Sequence, residues 1–119
     1  MTAILTADRS GHCLQVSGAL DADGALALRP TLEYVVLGTT GDVVLDMAGV
    51  GFMDGCGVGA VAFLFKRLAA QGRRMTVVGA TAQPLATFRK LGLGHVLGLP
   101  APPRRRLGFA AALGLARAA

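Results

Sequence analysis

Val43-Val44-Leu45-Asp46-Met47-Ala48-Gly49-Val50-Gly51-Phe52-Met53-Asp54-Gly55-Cys56-Gly57-Val58-Gly59 is the stretch that decides the fold. Its first five residues are nearly all apolar, the pattern of a central strand with close neighbours on both sides. Residues 48–52 read as a loop. Asp54 then precedes a glycine-rich turn that opens a helix running to Gln71, where Gly72 supplies a C-cap. A helix start of this kind presents free N–H groups, which favour an anion. The plainer alternative is that the glycines permit close packing. The spacing Gly55-x-Gly57-x-Gly59 is not G-x-G-x-x-G, and no Gly-Lys-Ser/Thr follows, so dinucleotide and P-loop readings fail.

Strands and helices alternate on either side. Upstream, residues 3–7 predict a short edge strand, Ser10-Gly11 a turn, and residues 13–17 a half-buried strand. Leu20-Asp21-Ala22-Asp23 suits a helix N-terminus, where carboxylates meet free N–H groups. Leu28, Leu32, Val35 and Val36 recur at helical spacing up to Gly38, and Pro30 inside that run predicts a kink or a second helix start. Downstream, residues 74–78 form the next strand. Thr81 caps a helix with Pro84 in its first turn, ending near Gly92, and Val96-Leu97 are short strand or coil. The 119 residues make one domain, 1–100, with 101–119 as a Pro/Arg-rich linker and C-terminal helix packed on it or appended to it. Gly108 and Gly114 weaken that last helix, expected at 107–118. The order predicts an α/β domain with a mixed sheet.

Three segments carry a resemblance. Gly18-Ala19-Leu20-Asp21 is similar to a G-x-L/I-D helix opening. Val43-Val44-Leu45-Asp46-Met47 with Val50-x-Phe52-Met53-Asp54 is similar to V-V-L-D-L-S-x-V-x-F-M-D. Gly57-Val58-Gly59-Ala60, then Lys66-Arg67-Leu68, Gly72 and residues 74–79, are similar to G-L-G-A-L…K…G…L-x-L-V-G. In this order, over residues 3–99, the chain resembles a STAS domain of the bacterial anti-sigma-factor antagonist type. The resemblance implies a single domain whose mixed β-sheet has four to five strands and helices mainly on one face. It implies a binding switch in place of an enzyme. Such domains dock on an anti-sigma factor, usually a histidine-kinase-like ATPase, and so free a sigma factor. The kinase phosphorylates a Ser or Thr at the start of the second helix, ending the docking, and a phosphatase restores it. A phosphate there adds about −1.5 to −2 charge beside an acidic residue, Asp54 in this chain.

At that turn the family usually carries D-S-S/T-G, whereas this chain has Asp54-Gly55-Cys56-Gly57. Cys56 holds the phosphoacceptor-equivalent position. Neither it nor Gly55 has a hydroxyl, so the usual phosphoserine switch is expected to be absent. Cys56 reads either as a small isostere of Ser that leaves the surface permanently open, or as a redox switch. A thiol at a helix N-terminus tends to a lowered pKa, which Asp54 opposes. A disulfide to Cys13 requires Cα atoms within about 7 Å. The expected partner-binding surface comprises Asp21, Asp54, Gly55, Cys56, Gly57, Val58 and Phe63. Asp21 and Asp54 also read as N-caps, and Asp46, at a strand end, as structural. On the second helix, Val58, Val61, Ala62, Phe65, Leu68 and Ala69 share the core face. Phe63 falls opposite, either exposed to a partner or covered by the C-terminal helix or a second copy of the chain.

Composition narrows the alternatives. The net charge is +5, but residues 1–100 hold eight basic against seven acidic side chains, which leaves +1. The excess lies in Arg104, Arg105, Arg106 and Arg117, with no aromatic residue among the arginines to stack a base, so nucleic acid is not the expected partner. The uncharged runs 55–65 and 107–116 fall short of the roughly 20 residues of a spanning helix. No signal-peptide pattern opens the chain, and two cysteines make no secreted framework, so a cytoplasmic protein is expected. His12 and His95 are isolated, which argues against a metal site; no catalytic constellation or cofactor motif is found, so no enzyme is expected. Two further function classes stay open: a STAS subunit docked on a transport ATPase, and a weak contact of the arginine-rich tail with anionic lipid. A solvated arginine run is the preferred reading of that tail.

Overall fold

A computed structural model describes residues 1–99; the linker, the arginine run and the helix expected at 107–118 lie outside the described residues. The elements are β1 (Thr2–Asp8), β2 (Gly11–Leu20), α1 (Ala22–Gly38), β3 (Asp42–Met53), α2 (Gly55–Ala70), β4 (Met75–Val78) and α3 (Ala82–Lys90). The four strands form one sheet in the order β1-β2-β3-β4. β1 runs antiparallel to β2, while β2/β3 and β3/β4 are parallel. The fold is thus α/β with a mixed four-stranded sheet. Val96 and Leu97 form no strand, though the Leu97 carbonyl accepts the Val77 N–H at 2.9 Å.

Alternation along the strands sets the layers. Leu14 and Val16 of β2, Val43, Leu45 and Met47 of β3, and Met75 and Val77 of β4 are buried together with Leu28, Leu32 and Val35 of α1 and Leu64 and Leu68 of α2. The intervening residues Ile4, Thr6, Gln15, Thr76 and Val78 are exposed, so the helices cover mainly one face.

Residues 48–52 are not a loop. They continue β3, and the reason is bulging. Gln15 pairs with Asp46, Ser17 with Gly49 and Ala19 with Phe52, so β3 twice advances three residues against two of β2. Its buried positions accordingly change from a spacing of two (Val43, Leu45, Met47) to three (Val50, Met53). Gly49 lets the strands approach there, since a Cβ on it would lie 2.5 Å from the Ser17 Cβ.

α1 runs through Pro30 as one continuous helix, so no second start occurs there. Pro30 sits on the exposed side, and the buried stripe Leu28, Leu32, Val35 and Val36 fastens the turns on both sides of it. The far end of α1 has no basic residue of its own. Arg73 supplies one from the α2–β4 turn: its guanidinium donates to the Val35 carbonyl at 3.3 Å, the Gly41 carbonyl at 2.7 Å and the Thr39 hydroxyl at 2.7 Å. Gln71 adds a bond to the Val36 carbonyl at 3.0 Å. A cation and donors at a helix C-terminus satisfy its last carbonyls and its dipole.

The buried stripe of α2 is Gly57, Val61, Leu64 and Leu68, not the face centred on Val58 and Phe65. Leu64 is fully buried, Val58, Ala62 and Phe65 are half-buried, and Ala69 is exposed. The run 58–65 is apolar almost all round, so periodicity alone does not select the inward side.

Candidate functional site

The parallel pair β2/β3 ends at one place: Leu20 pairs with Met53, and the next residue in each strand is an aspartate that starts a helix. Asp21 and Asp54 therefore lie side by side at the carboxyl ends of two neighbouring parallel strands, the usual position of a working surface in an α/β sheet. Both are N-caps with extended backbone. Asp21 Oδ1 accepts the Gly24 N–H at 2.9 Å. Asp54 Oδ1 accepts the N–H groups of Cys56 at 2.9 Å and Gly57 at 3.2 Å. The Asp54 carboxylate thus occupies the amides that an anion would use at this helix start.

The same four-residue design, Asp-x-x-Gly, opens both helices: Asp21-Ala22-Asp23-Gly24 and Asp54-Gly55-Cys56-Gly57. A Cβ on Gly24 would come within 2.1 Å of the Ala19 carbonyl oxygen, and one on Gly57 within 2.2 Å of the Leu20 carbonyl oxygen. Each glycine lets the first helical turn sit directly on the strand end. The close-packing reading holds for Gly57, which is buried and faces inward. Gly55 and Gly59 have open space where a Cβ would project.

The remaining expected residues fall around this turn. Gly55 and Cys56 are exposed, and Val58 is half-buried against the core. Phe63 is half-buried, partly covered by α1; the C-terminal helix, one of its expected covers, lies outside the described residues. The Arg29 guanidinium lies 4.6 Å from its ring centre and that of Arg67 5.3 Å. Cys56 and Phe63, two helical turns apart, line one open groove between α1 and α2 of about 350 Å³. Ala22, Leu26 and Arg29 form the α1 wall, and Gly59 lies between Cys56 and Phe63 on the α2 wall. Arg29 and Leu26 escaped the sequence reading; their spacing from Ala22 on one helix face was the available signal.

Gln83 was missed too. Its side-chain amide pairs with both backbone groups of Met53, accepting from the N–H and donating to the carbonyl, each at 2.8 Å. β4 pairs β3 only as far as Asp46, so Gln83 stands in for a strand partner on that edge, where β3 continues paired with β2 alone. Thr81 holds the N-cap position of α3 but makes no side-chain cap bond.

Cys13 and Cys56 are both free thiols. Cys13 pairs with Val44 at the opposite end of the sheet from Met53. At about 3.3 Å per residue the intervening strand separates the two cysteines far beyond disulfide reach. Burial, and next Asp46 and Asp8, push the Cys13 thiol above its ordinary pKa. Asp46 accepts the Ala48 N–H at 2.9 Å, a structural role. No Ser, Thr or Tyr occurs between Gly41 and Met75, so neither β3 nor α2 carries a hydroxyl side chain. Among the described residues no group of His, Cys, Asp and Glu is arranged to hold a metal, and no helix is long and apolar enough to cross a membrane.

The sheet order, the paired aspartate caps and the exposed turn define a small α/β domain whose loops meet at the ends of β2 and β3. Comparison with known proteins extends this. A family model described as "Mlab, STAS domain" matches residues 5–100. The chain belongs to the STAS domain family. No match is found among curated proteins. Among solved structures, the anti-sigma factor antagonist SpoIIAA in its unphosphorylated form is similar with a TM-score of 0.69 and 18% identity, over 98% of this chain and 100% of that one. A sulfate transporter family protein from Wolinella succinogenes aligns with a TM-score of 0.65 and 18% identity, over 78% of this chain and 75% of that one. The murine anion transporter Slc26a9 gives 0.65 and 20% over 87% of this chain, which spans 18% of that one. At these identities the likeness is one of fold.

Proposed function

We propose that this chain is a non-enzymatic regulatory docking module, an anti-sigma factor antagonist whose working surface is the Asp54–Cys56 turn, the adjoining Asp21 turn and the groove beside them. It docks on an anti-sigma factor of the histidine-kinase-like ATPase type and frees a sigma factor. The observation that carries the reading is the exposed turn Asp54-Gly55-Cys56, in a fold that matches SpoIIAA along the whole of both chains. SpoIIAA has also been solved in a phosphorylated form. With no hydroxyl at residue 56, this chain docks without that switch. A negative charge placed at residue 56 would sit beside the Asp54 carboxylate in the middle of the contact and oppose docking.

A second reading is supported by the family description and by the transporter chains of like fold: a STAS subunit docked on a transport ATPase through the same surface. Titration of the full chain against the kinase-like ATPase and, separately, the transport ATPase encoded nearest to it separates the two. The first reading expects binding to the kinase alone, kept in Cys56→Ser and lost in Cys56→Asp. Binding to the transport ATPase alone selects the second. Binding to neither, with the chain folded, removes both.

A further inference from the structure

We infer that the α1–α2 groove receives an amphipathic acidic helix of the docked protein, with a carboxylate of that helix meeting the Arg29 and Arg67 guanidiniums at the Phe63 end. The inference rests on the docking reading above and names the chemistry of the partner. The Arg29 and Arg67 guanidiniums lie 4.6 and 5.3 Å from the centre of the same ring, and stacking on an aromatic face leaves the N–H edges of a guanidinium free to bind carboxylates. The local supply of carboxylate falls short of the two cations. Arg29 pairs with Glu33 through Nε at 3.4 Å, and among the described residues no carboxylate pairs with Arg67. Lys66 adds a third positive charge on the adjacent turn.

The rest of the groove asks for apolar contact. Leu26 is 73% exposed on its rim, and Gly59 leaves open space opposite. Ala22, Ala25 and Ala60 line the same groove, so its floor and rim are apolar between the Cys56 and Phe63 ends. Helices dock in such grooves through residues spaced one and two turns apart. The groove is also polar along its length. Asp54, the N-cap of α2, is two residues before Cys56 at one end, and Phe63 lies about 10.5 Å further along α2 from Cys56, the rise of seven helical residues. A docked helix therefore places its apolar residues over Leu26 and Gly59 and its acid over Phe63. An acid at the other end would meet Asp54.

Stapled helical peptides test this against the full chain. Each carries leucines one turn apart and, two turns further on, a single Glu, Gln or Lys. Titration into isotope-labelled protein is expected to move the amides of Leu26, Arg29, Gly59 and Phe63. The Glu peptide is expected to bind about ten-fold tighter than the Gln peptide, the scale of a close charge pair at an interface, with the Lys peptide weakest. In the Arg29→Gln/Arg67→Gln variant, checked for an unchanged melting temperature, the preference should vanish. Should that variant melt early, Arg67→Gln alone is used, because Arg67 has no ion pair to lose among the described residues. Equal binding of Glu and Lys peptides, an unchanged preference in the variants, or no binding of any peptide overturns the inference. Binding to the kinase-like ATPase keeps the two claims apart: sensitivity to Cys56→Asp with indifference to the arginine variants leaves docking standing and removes the acidic helix.

Discussion

Gly57 and Gly59, two positions apart in α2, do opposite things. A Cβ on Gly57 would press on the Leu20 carbonyl and the Met53 and Leu20 side chains, whereas one on Gly59 would meet nothing. Gly57→Ala is therefore expected to lower stability by about 1–3 kcal/mol, the range for overpacking a tight site. Gly59→Ala should raise it by about 1 kcal/mol, because glycine in a helix interior is costly when its small size has no use. Thermal unfolding of the two variants checks both signs. The cysteines differ in a similar way. Cys56 is exposed, while Cys13 is half-buried with its thiol held above the usual pKa by burial and by Asp46 and Asp8. Timed alkylation near neutral pH should label Cys56 well before Cys13, and mass mapping of the first adduct reads the order. The two caps, Asp21 and Asp54, were legible in the sequence because an acid directly precedes each helical run. The unequal glycines were not, because spacing carries no information about what a side chain would touch.

At the scale of elements, the helix and strand order was readable and the lengths were not. β3 looked like five residues and a loop because its two bulges replace a period of two with a period of three. Bulges of this kind are made jointly with β2, so one strand's sequence does not announce them. Pro30 pointed to a kink or a second helix start, but α1 continues through it as one helix with four buried residues fastening the turns on either side. The C-terminal anchor of α1 was invisible for a related reason. Arg73 lies 34 residues from Thr39 in sequence, yet its guanidinium bonds the Thr39 hydroxyl and two carbonyls at that helix end. Arg73→Met keeps the apolar stem and removes these bonds. It is expected to cost about 2 kcal/mol, the scale of hydrogen bonds to a charged group. Hydrogen exchange should show the loss concentrated in the last turn of α1; uniform loosening of the sheet would contradict the assignment.

For the whole molecule, the net charge of +5 says little about the working surface, because residues 1–100 carry only +1. The family was legible because its motifs bracket β2, β3 and α2 in order, and the fold places them where β2 and β3 end together. The groove was not legible, since Leu26 and Arg29 of α1 meet Phe63 of α2 only after folding. What the domain presents is one contiguous surface, from the paired caps through Cys56 to the ring of Phe63, with no hydroxyl side chain anywhere on β3 or α2. The account therefore stands or falls on constitutive docking at that turn. The direct measurement is the affinity of the full chain for the kinase-like anti-sigma factor before and after incubation with magnesium and ATP, with the modified residues mapped by mass spectrometry. The expected result is an unchanged affinity with no phosphate on the chain, and loss of binding only in Cys56→Asp. Phosphate on residue 56 with release of the partner, or binding that Cys56→Asp leaves intact, would contradict it.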